Sequence, residues 1–90
     1  MYAKYVTGAT VKDLGSELPY KSNYVVAALN PTASSVTLQF SDASTGPFVT
    51  GRCRDGSAAV IPAGGAVEAI IGGRYAAIEN GVGQIQLLSD

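Results

Sequence analysis

The last third of the chain constrains its fold more than any other part. Between Gly65 and Leu88, apolar residues recur at every second position in three short runs, and Gly72-Gly73 and Asn80-Gly81 interrupt them. Period-two alternation is the mark of a half-buried strand, and glycine and asparagine supply the positive φ of tight turns. The pattern predicts three antiparallel strands joined by two hairpins. A two-residue turn at Gly72-Gly73 sets Ile71 opposite Arg74, Ala69 opposite Ala76 and Val67 opposite Ile78. Closing the second turn around Gly81-Val82 sets Ile78 opposite Ile85 and Ala76 opposite Leu87. The two registers agree, and Val67, Ala69, Ile71, Ala76, Ile78, Ile85 and Leu87 collect on one face as the expected core. A slip of one residue would turn that whole set to solvent.

On the opposite face the same registers bring Glu68 and Glu79 to one end beside Ala77, Gln84 and Gln86. At the other end they align Ile70, Tyr75 and Leu88. Three large apolar side chains in a row on an outer face are expected to meet a neighbouring subunit or residues 1–21.

Upstream, Ser35 to Ser41 alternates with Val36, Leu38 and Phe40 inward and Thr37 and Gln39 outward. Asn23 to Leu29 is apolar on both faces, the pattern of a strand covered on both sides, and Asn30-Pro31 stops it. Phe48 to Thr50 and Ala58 to Ile61 read as two short strands separated by a loop around Gly51 and Asp55-Gly56. Residues 1–21 are the least patterned, with a short strand from Tyr2 to Thr7 and then a loop to Pro19. They are expected to form an N-terminal arm or edge hairpin on an antiparallel β domain spanning residues 22–90. The fold class is all-β, a small antiparallel β-sandwich or β-barrel with an extended N-terminal segment. Ninety residues make one core and no second one.

Charge narrows the function. Only 14% of residues are Asp, Glu, Lys or Arg, against about 25% in an ordinary soluble domain. So uncharged a surface is expected to be partly covered by a partner. The net charge is −1 and the six basic residues are dispersed, which disfavours nucleic acid, whose phosphates call for clustered Lys and Arg. No membrane segment is expected: the longest apolar run, Tyr24 to Leu29, is too short to cross a bilayer, and no signal-peptide run follows Met1-Tyr-Ala-Lys-Tyr5.

Catalytic chemistry finds little purchase. The chain has no His and a single Cys, which removes the usual general base and most transition-metal sites. Cys53 lies between Arg52 and Arg54, whose charges favour a thiolate. Alternate neighbours on a strand point away from it, however, and a free Cys is by default a small buried hydrophobe. The glycine pairs match no phosphate-binding loop, because each leads into a strand where such a loop needs a helix N-terminus. Asp42 and Asp55 sit in glycine-containing loops that lack the alternating oxygen ligands of a calcium site. No enzyme, cofactor or metal is expected.

The order of these pieces carries a resemblance. Val36-Thr-Leu-Gln39 runs into Ser41-Asp42 and a glycine-containing turn, and an apolar strand ends in Ile61-Pro-Ala-Gly-Gly65. A further strand, Gly72-Gly73, Arg74-Tyr75 opening the next strand, and Asn80-Gly81 before the last follow. From Ser34 to Leu88 this resembles the small capsid decoration, or cement, proteins of tailed bacteriophages. The resemblance implies a structural virion protein that binds the major capsid protein on the outside of the head and stabilises subunit junctions. Its partners would be the capsid and itself, commonly as a homotrimer, with Tyr2, Tyr5, Ile70, Tyr75 and Leu88 as contact residues. The protein would be made in the host cytoplasm and reside on the virion. Two other readings stand beside it, another virion component of the tail or head completion, and a carbohydrate-binding β-sandwich, which the absence of Trp disfavours.

Overall fold

Val36, Leu38 and Phe40 are buried and Thr37 and Gln39 half-buried, so the alternation read from the sequence is realised in the strand Val36–Ser41. Around it, a computed structural model describes residues 2–17 and 24–89 as an all-β protein. The strands are β1 Tyr2–Thr7, β2 Lys12–Asp13, β3 Tyr24–Leu29, β4 Val36–Ser41 and β5 Val49–Thr50. They continue with β6 Arg52–Cys53, β7 Val60–Ile61, β8 Ala66–Ile71, β9 Tyr75–Ile78 and β10 Gln84–Ser89. One helical turn, α1 Leu14–Glu17, follows β2. Two antiparallel sheets pack face to face as a small sandwich. The first has the order β1-β10-β3-β8-β6 and the second β2-β9-β4-β5, with β7 also paired to β4.

The core lies between them. Val6, Ala28, Ile70, Ile85 and Leu87 from the first sheet meet Leu38, Phe40, Ala76 and Ile78 from the second, with Leu14, Ala59 and Ile61 closing its margins. Each fully buried Leu, Ile or Val contributes about 1.5–3 kcal/mol relative to exposure.

The two expected hairpins do not form. β8 pairs with β3 and β6, β9 with β2 and β4, and β10 with β1 and β3. Ile71 therefore faces Tyr24 and Arg52 rather than Arg74, and Ile85 faces Val6 rather than Ile78. Both turns carry the chain from one sheet to the other. The physical reason is that an alternating strand needs one face buried and is indifferent to which strand lies beside it. Ala76, Ile78, Ile85 and Leu87 are buried as expected, and Val67 is partly buried against the same core; the side chains of Ala69 and Ile71 lie outside the described set. Crossing is the rule here: consecutive described strands alternate between the sheets, and only β4 and β5 are neighbours both in sequence and in a ladder.

Gly72 and Gly73 are also not the positive-φ residues that a hairpin would need; the described glycines with positive φ include Gly81 and Gly83 but neither of these. Their role is clearance. A Cβ on Gly72 would lie 2.3 Å from Cγ of Phe40, and one on Gly51 would lie 2.6 Å from Cε2 of the same ring. Gly51 sits where the chain leaves β5 in the second sheet for β6 in the first, so the Phe40 ring is wedged under two crossings at once. Around Gly51 the ladder is kept whole by three bonds. Gly51 N–H donates to Leu38 O at 2.9 Å, Ala59 N–H to Gly51 O at 2.8 Å, and Leu38 N–H to Ala59 O at 3.0 Å.

The N-terminal segment enters both sheets. Tyr2–Thr7 pairs along its whole length with β10, and Lys12–Asp13 pairs with β9. Near the end of β1, buried Asn30 locks the β3–β4 connection. Its Nδ2 donates to Ser34 O at 2.8 Å and Ile61 O at 3.0 Å, and its Oδ1 accepts from the backbone N–H of Thr32 at 2.9 Å and from the Thr32 hydroxyl. The Asn30 N–H donates to Gly65 O at 2.9 Å. All four side-chain valences are thus filled, which is what a buried amide requires.

Two stability outcomes follow from this packing. Gly72→Ala should destabilise by about 1–3 kcal/mol or more through overpacking, and combining it with Phe40→Ala should cost clearly less than the sum of the two single changes. A double-mutant cycle by urea unfolding measures this, and strict additivity would remove the wedge. Asn30→Asp keeps the acceptor but loses both donors. It should cost on the order of 3 kcal/mol at neutral pH, because Ile61 O is left unpaired and a charge is buried; a loss under about 1 kcal/mol would show that the lock is unimportant.

Candidate functional site

The contact residues expected from sequence do not assemble as one row. Ile70 is fully buried in the core, flanked in its ladder by Val25 and Cys53. Tyr75 belongs to the second sheet, half-buried beneath the Arg74 guanidinium, which lies 5.2 Å from its ring centroid. Arg74 is held there by a two-pronged bond to Asp13, Nε to Oδ1 at 2.9 Å and Nη2 to Oδ2 at 3.0 Å. Asp13 in turn holds the Arg74 guanidinium above its usual pKa. Leu88 sits in the first sheet, opposite Ala3 and Ala27. The row was a product of the hairpin registers and falls with them. So does the shared face of Glu68 and Glu79: Glu68 is exposed on β8, whereas Glu79 follows β9 and its N–H donates to Thr37 O at 3.0 Å.

Two of the five residues do share a surface. Tyr5 lies opposite Gln86, and Leu88 is two residues further along β10, so Tyr5 and Leu88 are diagonal neighbours. They occupy the outer face of the first sheet, since Val6, Ile85 and Leu87 point into the core. Thr7, Gln84, Gln86, Ala27 and Leu29 share that face with exposed Glu68, the ladder partner of Ala27, and Gln84 Nε2 reaches Thr7 Oγ1 at 3.4 Å. Tyr2 lies at the far end of β1 opposite Ser89; its side chain is outside the described set.

This face runs without a break onto one end of the sandwich. Four connections meet there, residues 8–11, 30–35, 62–65 and 79–83. Gly8 N–H donates to Gly83 O at 2.9 Å, and the Asn30 bonds described above tie the second connection to the third. Gly83 packs so closely on Val36 that a Cβ would lie 3.1 Å from its Cγ2. Among all these loop residues only Glu79 is charged. Val82, at 73% exposure, and Tyr5, at 47%, are the most exposed large apolar side chains described in this region. Sequence reasoning missed the loop end because its parts are scattered over the whole chain. The one available signal was the scarcity of charge in the four turn segments, three of which have none.

Elsewhere the chemistry is structural. Cys53 is buried, its Sγ 4.0 Å from Ala58 O, while Arg52 and Arg54 are exposed. Among the described residues no group of His, Cys, Asp and Glu is arranged to hold a metal ion, and no helix is long and apolar enough to cross a membrane. Asp55 closes its turn by accepting from the Ser57 hydroxyl at 2.6 Å and the Ser57 backbone N–H at 2.9 Å. The hydroxyl bond first, then the backbone bond, holds its carboxyl below the ordinary range. A depressed carboxylate supports the fold at pH values above the ordinary range and loses that contribution as the pH falls below it. Ser57→Ala should therefore raise the Asp55 titration toward the ordinary value in a carboxyl-detected NMR pH series; an unchanged titration would show that the hydroxyl has no part in it.

Comparison of the chain with protein-family models, with curated proteins and with solved structures returns no match in any of the three.

Proposed function

We propose that this protein is a structural component of a virion, a capsid decoration protein that attaches to the outside of a tailed-phage head and acts without catalysis. The observation that carries the reading is the sparsely charged surface formed by the outer face of the first sheet and the four-loop end, with Glu68 and Glu79 among its few charges. A surface of that kind offers shape and apolar area to another protein and nothing to a phosphate backbone. The order of strand and turn segments between Ser34 and Leu88 supports the same reading through its resemblance to head cement proteins. Under this proposal Tyr5, Leu88 and Val82 touch the major capsid protein or a neighbouring copy, and the copies gather as trimers over the junctions of capsid subunits. Ile70 takes no part in such contacts, because it is committed to the core.

The test is the protein content of purified particles from cells that make the chain. Decoration requires the protein on the particle in a copy number comparable to the major capsid protein. Only a few copies per particle would replace decoration with a tail or head-completion role, and absence would end the virion reading. Val82→Asp, at a position exposed enough to leave the fold intact, should abolish attachment to heads while leaving the unfolding midpoint within about 0.5 kcal/mol of the parent. Light scattering across a dilution series should give a mass three times that of the chain; a strict monomer would remove the trimer.

A further inference from the structure

A sheet that ends in an open strand offers backbone groups to any other strand, and proteins blunt such edges by keeping them short or by pointing a charge inward. Three of the four strands that end the two sheets are short: β2, β5 and β6 have two residues each. β1 is the exception, six residues long, and among the described residues no strand pairs with its outer side. The register fixes which of its groups face outward. Gly8 N–H donates to Gly83 O at 2.9 Å, continuing the ladder in which Thr7 lies opposite Gln84. Bonded and non-bonded pairs alternate along an antiparallel ladder. Val6 and Lys4 are therefore bonded to β10, and Ala3, Tyr5 and Thr7 turn their N–H and C=O groups away from it. The Thr7 carbonyl accepts from Thr10 N–H at 3.2 Å. Ala3 and Tyr5 aim two donors and two acceptors at the open edge.

Between those two residues stands Lys4. It lies opposite Leu87, whose side chain is fully buried. Residues directly opposite each other in a ladder share a face, so the half-buried Lys4 side chain leaves the edge on its core-facing side. That is where its charge bears most on a second copy. Two β1 edges that pair antiparallel about a two-fold axis, and use all four groups, set Ala3 of each copy opposite Tyr5 of the other. This register puts Lys4 opposite Lys4 in a non-hydrogen-bonded pair, the closer kind, with Cα atoms about 4.5 Å apart. Like charges directly opposite are destabilising, and closing the edge would also strip water from both ammonium groups. Shifting the register by two residues relieves the clash but asks for the Thr7 carbonyl that Thr10 already holds. We propose that Lys4 is a guard residue that keeps the β1 edges of two copies from joining, leaving association to the other surfaces of the molecule. The inference does not rest on the virion reading, and either can fail without the other.

Amide hydrogen exchange of the full chain, read by NMR over a dilution series, tests it. In the parent the Ala3 and Tyr5 amides should exchange rapidly at every concentration, while those of Lys4 and Val6 are protected. Lys4→Val should tighten self-association about tenfold or more, which corresponds to about 1.4 kcal/mol, with protection appearing at Ala3 and Tyr5 as the concentration rises. Charge reversal gives a second route should the valine variant fail to fold. Lys4→Glu alone should gain no such protection, but mixed in equal amounts with the parent it should, because glutamate then faces lysine across the axis. Four results would overturn the proposal: Ala3 and Tyr5 protected in the dilute parent, a folded Lys4→Val chain that associates no more than the parent, association that leaves these two amides exchanging rapidly, or an equal mixture that behaves like its components.

Discussion

The Phe40 ring holds the sandwich together at the point where the chain twice changes sheets. Gly51 and Gly72 press onto it from the two crossings, and neither position admits even a methyl group without displacing the ring. Because β4 carries Phe40 and lies between β9 on one side and β5 and β7 on the other, the ring also fixes where the second sheet sits over the first. Close packing leaves such a contact little room to adjust, so its geometry reaches the neighbouring strands.

Legibility in the sequence followed the range of the interaction. β4 was readable to within one residue because Val36, Leu38 and Phe40 answer to one rule, burial of alternate side chains. β3 was readable because Pro31 ends it, although the cover expected on both of its faces is only partial on the outer one, where Ala27 and Leu29 are half-buried. The registers of β8, β9 and β10 were not readable, although their inward residues mostly were. Alternation specifies a face and leaves the partner open, and Gly72-Gly73 looks the same whether it closes a hairpin or clears an aromatic ring. Arg52–Cys53 went unseen as a strand because two residues carry no period. The outer row of Ile70, Tyr75 and Leu88 was an inference built on register, so it was lost with the register, whereas Tyr5, which depended on no register, lies exposed on the outer face of the first sheet.

The molecule has a polarity that no single segment displays. One end gathers four connections with a single charge among them, pinned by the Asn30 amide and by Gly8 to Gly83. The other end carries the Asp13–Arg74 pair, Asp42 and Arg52. Exposed ion pairs of this kind add at most about 1 kcal/mol to the fold, so their segregation says more about what each end meets than about stability.

The ladder of the first sheet places β10 between β1 and β3. During synthesis on the ribosome, residues 2–7 emerge first and have no strand to pair with until residues 84–89 have followed them out. β3 in the meantime has β8 on one side and an open edge on the other. Once β3 and β8 have paired, the β3 edge stays unpaired until residues 84–89 are available, a state that invites pairing with other chains. The gap is closed by the insertion of the final strand between two that are already made, and a ribosome that stalls short of Gln84 releases a polypeptide with that slot still open.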